Sequence, residues 1–337
     1  MECFSRIRDL LMKKSNLVIY CGALFCITAA SIDIMLPVFH HMERGLQTSL
    51  ELVQYSIPAF LFPFALMQMF YGPASDRFGR QPVLQVGLGL YILGSILVFC
   101  APSISTVLLG RFIQGMGAAS GQVIARAILR DRNSGAELAK AISFAMAIFS
   151  IAPILAPLIA YFISIFSGWR GVFFFLILFG TGLWLATRFL YMETNQNLNP
   201  NALQFSSIFS AVKMVLSNRQ SFYFLWVAVL LNSSIILYVI NIAPMLEIKY
   251  GITGLKFALI FAMTGLGIPL GQFLNHHAVD KFGVIKTMIF SSIFTVIVLS
   301  LLVGLSLLNL LSVVCFVTLV FLYCASFLVV LGNATSM

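Results

Sequence analysis

Ten long apolar stretches constrain this chain more than any other feature. They lie near residues 17–39, 50–71, 82–101, 104–125, 140–165, 170–191, 220–243, 256–275, 286–308 and 311–332. Each matches the roughly 20 apolar residues that a helix needs to cross a bilayer. Sixty per cent of the residues are hydrophobic and nine per cent charged, where a soluble domain carries about 25% charged residues. A globule in water could not cover that much apolar surface. A membrane barrel would instead show alternating segments of about 10 residues. The expectation is an all-α polytopic membrane protein with the lipid bilayer as its solvent.

The basic residues set the topology. Loops numbered from the N-terminus alternate between two sides. The side opposite the N-terminus carries only Arg44, Arg170, Lys249 and Lys256, and Arg111 lies inside a stretch; the other fifteen of the 20 Lys and Arg residues fall on the N-terminal side. By the positive-inside rule the N-terminus is cytoplasmic. The net charge of +9 is thereby a topology signal, and no nucleic-acid partner is implied. The first apolar run is longer than a signal-peptide core and lacks a small-residue cleavage site, so it reads as span one.

The segment YGPASDRFGRQP (Tyr71–Pro82) is echoed by VDKFGVIK (Val279–Lys286). Asp76 and Asp280 stand 204 positions apart, and the same offset carries the start of span one to the start of span seven. This implies an internal duplication with parallel halves, one of the known transporter architectures. The expected organisation is an N-terminal six-helix half at 1–191, a central cytoplasmic loop at 192–219 and a four-helix C-terminal half at 220–337. On that ruler the second half lacks counterparts of spans five and six, which makes ten spans of a twelve-span design.

Ionisable residues inside the spans are the informative ones, because a charge at the bilayer centre costs about 2.5–3.5 kcal/mol on insertion scales. Asp33 lies in span one, about seven residues before its outer end, and Arg111 in span four, about seven residues past its start; at 1.5 Å per residue both sit roughly 10 Å below the outer surface. They form either a structural ion pair or a functional one, with Asp33 exchanging a proton or cation in a central cavity and Arg111 setting its affinity. Gln114, Gln54, Asn232 and Asn241 extend the same polar face, or equally serve as interhelical hydrogen-bond partners. Pro153 and Pro157 in span five each remove a backbone donor, giving a passive kink or a bend at a moving interface. Gly115, Gly117 and Gly121 permit close helix approach in span four.

Six cysteines without metal-ligand spacing (Cys3, Cys21, Cys26, Cys100, Cys315 and Cys324) read as packing residues. His40, His41, His276 and His277 sit at span ends and read as interfacial. No phosphate loop, nucleophile elbow or metalloprotease helix occurs. Neither an enzyme, a cofactor nor a metal is expected.

The loop residues Gly72, Asp76, Arg77, Gly79 and Arg80 resemble the signature between spans two and three of the major facilitator superfamily. SIDIMLPVF, GRFIQGMGAA and APILAPLIAYFISIFSGWRGVF resemble the span-one, span-four and span-five motifs of its Bcr/CflA-type drug:proton antiporters, with Ala152 and Ala160 where that pattern usually has Gly. The resemblance implies a major facilitator fold of twelve helices, working by alternating access in a bacterial inner membrane and exchanging protons for drugs or small organic solutes. It implies Asp33 as coupling carboxylate, Arg111 as its basic partner, and Asp76 with Arg80 as a cytoplasmic latch. In the family that Asp caps the start of span eleven, which this chain does not reach. A monomer is expected. Two rival readings are a truncated, non-transporting remnant of such a carrier and a carrier for a physiological metabolite.

Overall fold

A computed structural model describes residues 14–195, 197–204 and 216–336. Cys3, Arg6, Arg8, Lys13 and Lys213 lie outside the described residues, as do the side chains of His276 and Asp280. In hydrocarbon each backbone N–H and C=O must be satisfied within its own segment, and every regular element among the described residues is helical. The elements are α1 (Lys14–Asp33), a 3-10 turn (Leu36–Val38), α2 (Phe39–Gly45), α3 (Leu50–Gln54), α4 (Ser56–Phe78), α5 (Arg80–Phe99), α6 (Ile104–Arg132) and α7 (Gly135–Phe189). Then follow α8 (Arg219–Tyr250), α9 (Gly254–Gly265), α10 (Gly267–Phe282), α11 (Val284–Leu307) and α12 (Val313–Ser336).

Among the described residues, seven helices are long and apolar enough to cross a membrane by length and composition. The difference from ten has physical causes. Predicted spans five and six fall in one apolar run, Lys140–Phe189. Span four lies on α6, where Arg111, Gln114 and a string of Gly, Ala and Ser dilute the hydropathy. Span ten is represented by the shorter apolar stretch Val313–Phe327. The backbone of α7 stays helical through Pro153 and Pro157 and departs from helical dihedrals at Gly168 (φ 61°, ψ −165°). The break in this long helix therefore lies at the glycine and not at the two prolines.

The chain divides into two compact units, Met1–Ala152 with Ile159–Ala211 and Pro153–Leu158 with Val212–Met337. In the first, Leu24 and Ile27 of α1, Phe60 and Phe64 of α4, Leu84 and Tyr91 of α5, and Ile124 and Ile128 of α6 build one apolar core. The α5–α6 crossing is made by reciprocal glycines. A Cβ on Gly94 would stand 2.6 Å from the Gln114 Cα, and one on Gly117 would stand 2.7 Å from the Tyr91 Cα. Backbones come this close only where side chains are missing, and that contact places Gln114 beside the polar residues of α5.

In the second unit α12 packs on α8, α9, α10 and α11. Its polar interior consists of hydroxyls: Ser234 with Tyr323 at 2.5 Å, Tyr238 with Thr264 at 2.7 Å, and Thr295 Oγ1 donating to Ser326 Oγ at 2.8 Å. The joint between α4 and α5 recurs between α10 and α11. Gly79 (φ 96°, ψ 157°) and Gly283 (φ 79°, ψ 161°) each end one helix and begin the next. That backbone region is essentially reserved for glycine, and the two positions are 204 residues apart.

Candidate functional site

Arg111 is completely buried, and its partners are neutral. Its Nε donates to the Ser56 carbonyl of α4 at 3.2 Å. The guanidinium carbon lies 4.4 Å from the Phe60 ring centroid, a cation–π contact strengthened by desolvation. Gln114, one turn along α6, accepts from Nη1 at 2.6 Å and donates to Ser95 Oγ at 2.7 Å. Ser95 donates to the Tyr91 carbonyl at 2.8 Å, and the Tyr91 hydroxyl lies 2.8 Å from Ser31 Oγ on α1. One polar network thus joins α1, α4, α5 and α6 within an apolar core. The buried Nη2 of Arg111 and Oγ of Ser56 have no hydrogen-bond partner among the described residues.

Asp33, the last residue of α1, is also buried, at 6% exposure. Among the described residues its carboxylate forms no ion pair, so the expected pairing with Arg111 is not made in this structure. The reason is rotational. At 100° per residue, Asp33 is turned about 200° from Ser31, and Ser31 faces α5. Asp33 shares its side of α1 with Cys26, two turns earlier, whose thiol reaches the Ile148 carbonyl of α7 at 3.6 Å.

The remaining predicted residues are placed differently from one another. Gln114 belongs to the Arg111 network. Gln54 ends α3 and is half-buried; its near neighbour Ser56 supplies the carbonyl that Arg111 uses. Asn232 and Asn241 are exposed on α8 and donate to the Ala228 and Leu237 carbonyls of their own helix, each at 2.8 Å. Neither is the interhelical partner that its position in the span suggested.

A second polar cluster surrounds the signature loop. Arg80 is buried, and its Nε and Nη2 reach the two carboxylate oxygens of Asp131 at 3.0 and 3.4 Å. Its Nη1 donates to Ser75 Oγ at 2.7 Å and to Asp76 Oδ1 at 2.5 Å. Asp76 is half-exposed, and Arg77 is exposed over the neighbouring Phe78 ring. A Cβ on Gly72 would stand 3.9 Å from Val123 of α6. Asp131 at the end of α6 was missed by motif reading; the signal was a single acid flanked by Arg130 and Arg132. Ser31, Tyr91 and Ser95 carried no signal, being ordinary residues in apolar spans.

A family model described as Major Facilitator Superfamily matches residues 21–337. The chain is 30% identical over 267 residues to the uncharacterized MFS-type transporter YdgK of Bacillus subtilis (strain 168), covering 78% of this chain and 65% of that protein. It is 27% identical over 262 residues to the bicyclomycin resistance protein homolog of Haemophilus influenzae (strain ATCC 51907 / DSM 11121 / KW20 / Rd), covering 78% of this chain and 66% of that one. The chain thus spans slightly less than two thirds of the length of these curated relatives. In structure it is similar to the partially occluded, inward-open xylose transporter XylE from E. coli, with a TM-score of 0.70 at 15% identity over 95% of this chain and 84% of that one. At that identity the likeness speaks to the fold alone.

Proposed function

The chain belongs to the Major Facilitator Superfamily, and we propose that it is a proton-coupled secondary transporter that exports drugs or small organic solutes by alternating access. The observation that carries this reading is Asp33, a buried carboxylate with no counter-charge among the described residues, in the same unit as a fully desolvated arginine. An intramembrane ionisable residue without a structural partner defaults to a functional role. A carboxylate not locked into an ion pair is the group here best suited to gain and lose a proton during a cycle. The bicyclomycin-resistance relative favours drug-like solutes over a physiological metabolite.

In this reading Arg111 is held by Gln114 and the Ser56 carbonyl as the fixed charge that Asp33 works against. Gln54, two residues from the Ser56 carbonyl that Arg111 uses, extends the same polar surface. Gly72, Asp76, Arg77, Gly79 and Arg80 form the cytoplasmic latch. The protein lies in a bacterial inner membrane as a monomer with its N-terminus in the cytoplasm, as the 15-to-4 bias of its basic residues supports. The relatives are transporters, not enzymes, and no resident cofactor enters the mechanism.

The test is solute-induced proton movement in inverted membrane vesicles containing the protein. Candidate drugs and small organic solutes are added after an acid-inside gradient is set. Collapse of the gradient by a subset of solutes is the expected result. A gradient indifferent to every solute, while labelled solute still moves, would contradict proton coupling.

A further inference from the structure

The stretch after α7 reads in sequence as a plain join, yet its described residues between Tyr191 and Asn199 are bonded to the ends of four helices. At the start of α5, the Gln81 backbone N–H donates to Glu193 Oε2 at 2.9 Å. Here the side-chain carboxylate satisfies one of the amides a helix N-terminus leaves free. The same glutamine donates from its side chain to the Thr187 and Tyr191 carbonyls at 2.9 and 3.3 Å, closing the end of α7. At the end of α4, the Asp76 carbonyl accepts from the Asn199 backbone N–H at 3.0 Å. At the end of α6, Thr194 Oγ1 donates to Asp131 Oδ2 at 2.9 Å, the oxygen that also accepts from Arg80 Nε. Thr194 is buried and lies 2.7 Å from the Tyr191 hydroxyl, and Tyr191 stacks on Tyr20 of α1 at 5.9 Å.

We infer that this stretch is a strap that holds the signature loop in register, with Glu193 and Thr194 as positioning residues for the Arg80–Asp131 pair. The arrangement has two points of leverage. Glu193 fixes where α5 begins, and so where Arg80, one residue earlier, is launched. Thr194 donates to the same Asp131 oxygen that accepts from Arg80 Nε, so the carboxylate cannot rotate without breaking both contacts. Gly79 fits the same scheme, because a Cβ there would stand 2.6 Å from Glu193 Oε2. Asp131 is thereby a shared acceptor whose pairing depends on a segment more than sixty positions away. The inference rests on the transport reading only for its meaning in the cycle, where the strap must slip before Arg80 can part from Asp131.

The test is hydrogen–deuterium exchange by mass spectrometry on the purified protein in lipid nanodiscs, read on the peptide covering residues 76–83. Glu193→Gln removes the charged acceptor and is expected to speed exchange there about tenfold, with mid-span peptides of α5 and α6 unchanged. Thr194→Ala is expected to speed it about threefold, and Thr194→Ser, which keeps the hydroxyl, to restore the wild-type rate. In an Asp131→Asn background Thr194→Ala is expected to add less than 1.5-fold, because the shared acceptor is already weakened. Unchanged exchange in both Glu193→Gln and Thr194→Ala would overturn the strap. Full additivity of Thr194→Ala with Asp131→Asn would overturn the positioning role. Exchange is measured without transport, so this inference and the carrier reading can fail separately.

Discussion

Arg80 grips Asp131 side-on, with Nε and Nη2 reaching the two carboxylate oxygens at 3.0 and 3.4 Å, across 51 positions of sequence. The Asp76 contact, four residues away on the joint itself, involves a carboxylate side chain that is 49% exposed; that of Asp131 is 18% exposed. The better-shielded partner contributes more, since an exposed pair contributes little and the buried Arg80 loses two directed contacts when Asp131 is removed. Asp131→Ala is expected to cost about 2 kcal/mol. Asp76→Ala is expected to cost about 0.5 kcal/mol. Chemical denaturation in detergent micelles measures both.

The two glycine joints separate backbone strain from contact. Gly79→Ala and Gly283→Ala both force a side chain into a glycine region, at about 1–3 kcal/mol each. Among the described residues a Cβ at 283 meets nothing within 4 Å, whereas one at 79 runs into the Glu193 carboxylate. Gly79→Ala is therefore expected to be the more damaging, and thermal denaturation of the two variants side by side checks the order.

Helix crossing supplies a prediction that changes sign within one helix. Gly94→Ala on α5 would press on the Gln114 backbone and is expected to destabilise by about 1–3 kcal/mol through overpacking. Gly89→Ala, on the same helix with nothing within 4 Å of its Cβ among the described residues, is expected to stabilise by about 0.5–1 kcal/mol, because glycine in a helix interior costs that much against alanine. Melting of both variants in the same detergent decides it.

Arg111 makes two directed contacts from different atoms of one planar group, Nε to Ser56 and Nη1 to Gln114. A lysine keeps the charge but cannot reproduce that fork. Arg111→Lys is expected to insert normally and to lose at least tenfold in export, measured as drug accumulation in cells at matched protein levels.

Much of this molecule was legible in advance because lipid leaves a chain few options. The apolar stretches had to be helical, and Gly79 and Gly283 could be matched because the chemistry of a tight helix-to-helix joint admits almost nothing else. Gln114 was found because it sits one turn from Arg111. The Asp33–Arg111 pair was placed from depth alone, and depth carries no information about rotation; α1 turns Ser31 toward α5 and leaves Asp33 on the other side. Asn232 and Asn241 misled for the same reason, since an amide in a span can bond to its own helix. Asp131, Glu193 and Thr194 escaped because their roles come from tertiary contacts that no local spacing encodes.

Proton-driven export by Asp33→Asn decides whether that carboxylate couples solute movement to protons. Inverted vesicles carrying wild-type or variant protein at equal levels are given an imposed pH gradient, and solute uptake into the vesicle lumen is followed. The variant is expected to lose gradient-driven uptake at least tenfold while still binding solute. Uptake equal to wild type, with the same dependence on the gradient, would contradict coupling through Asp33.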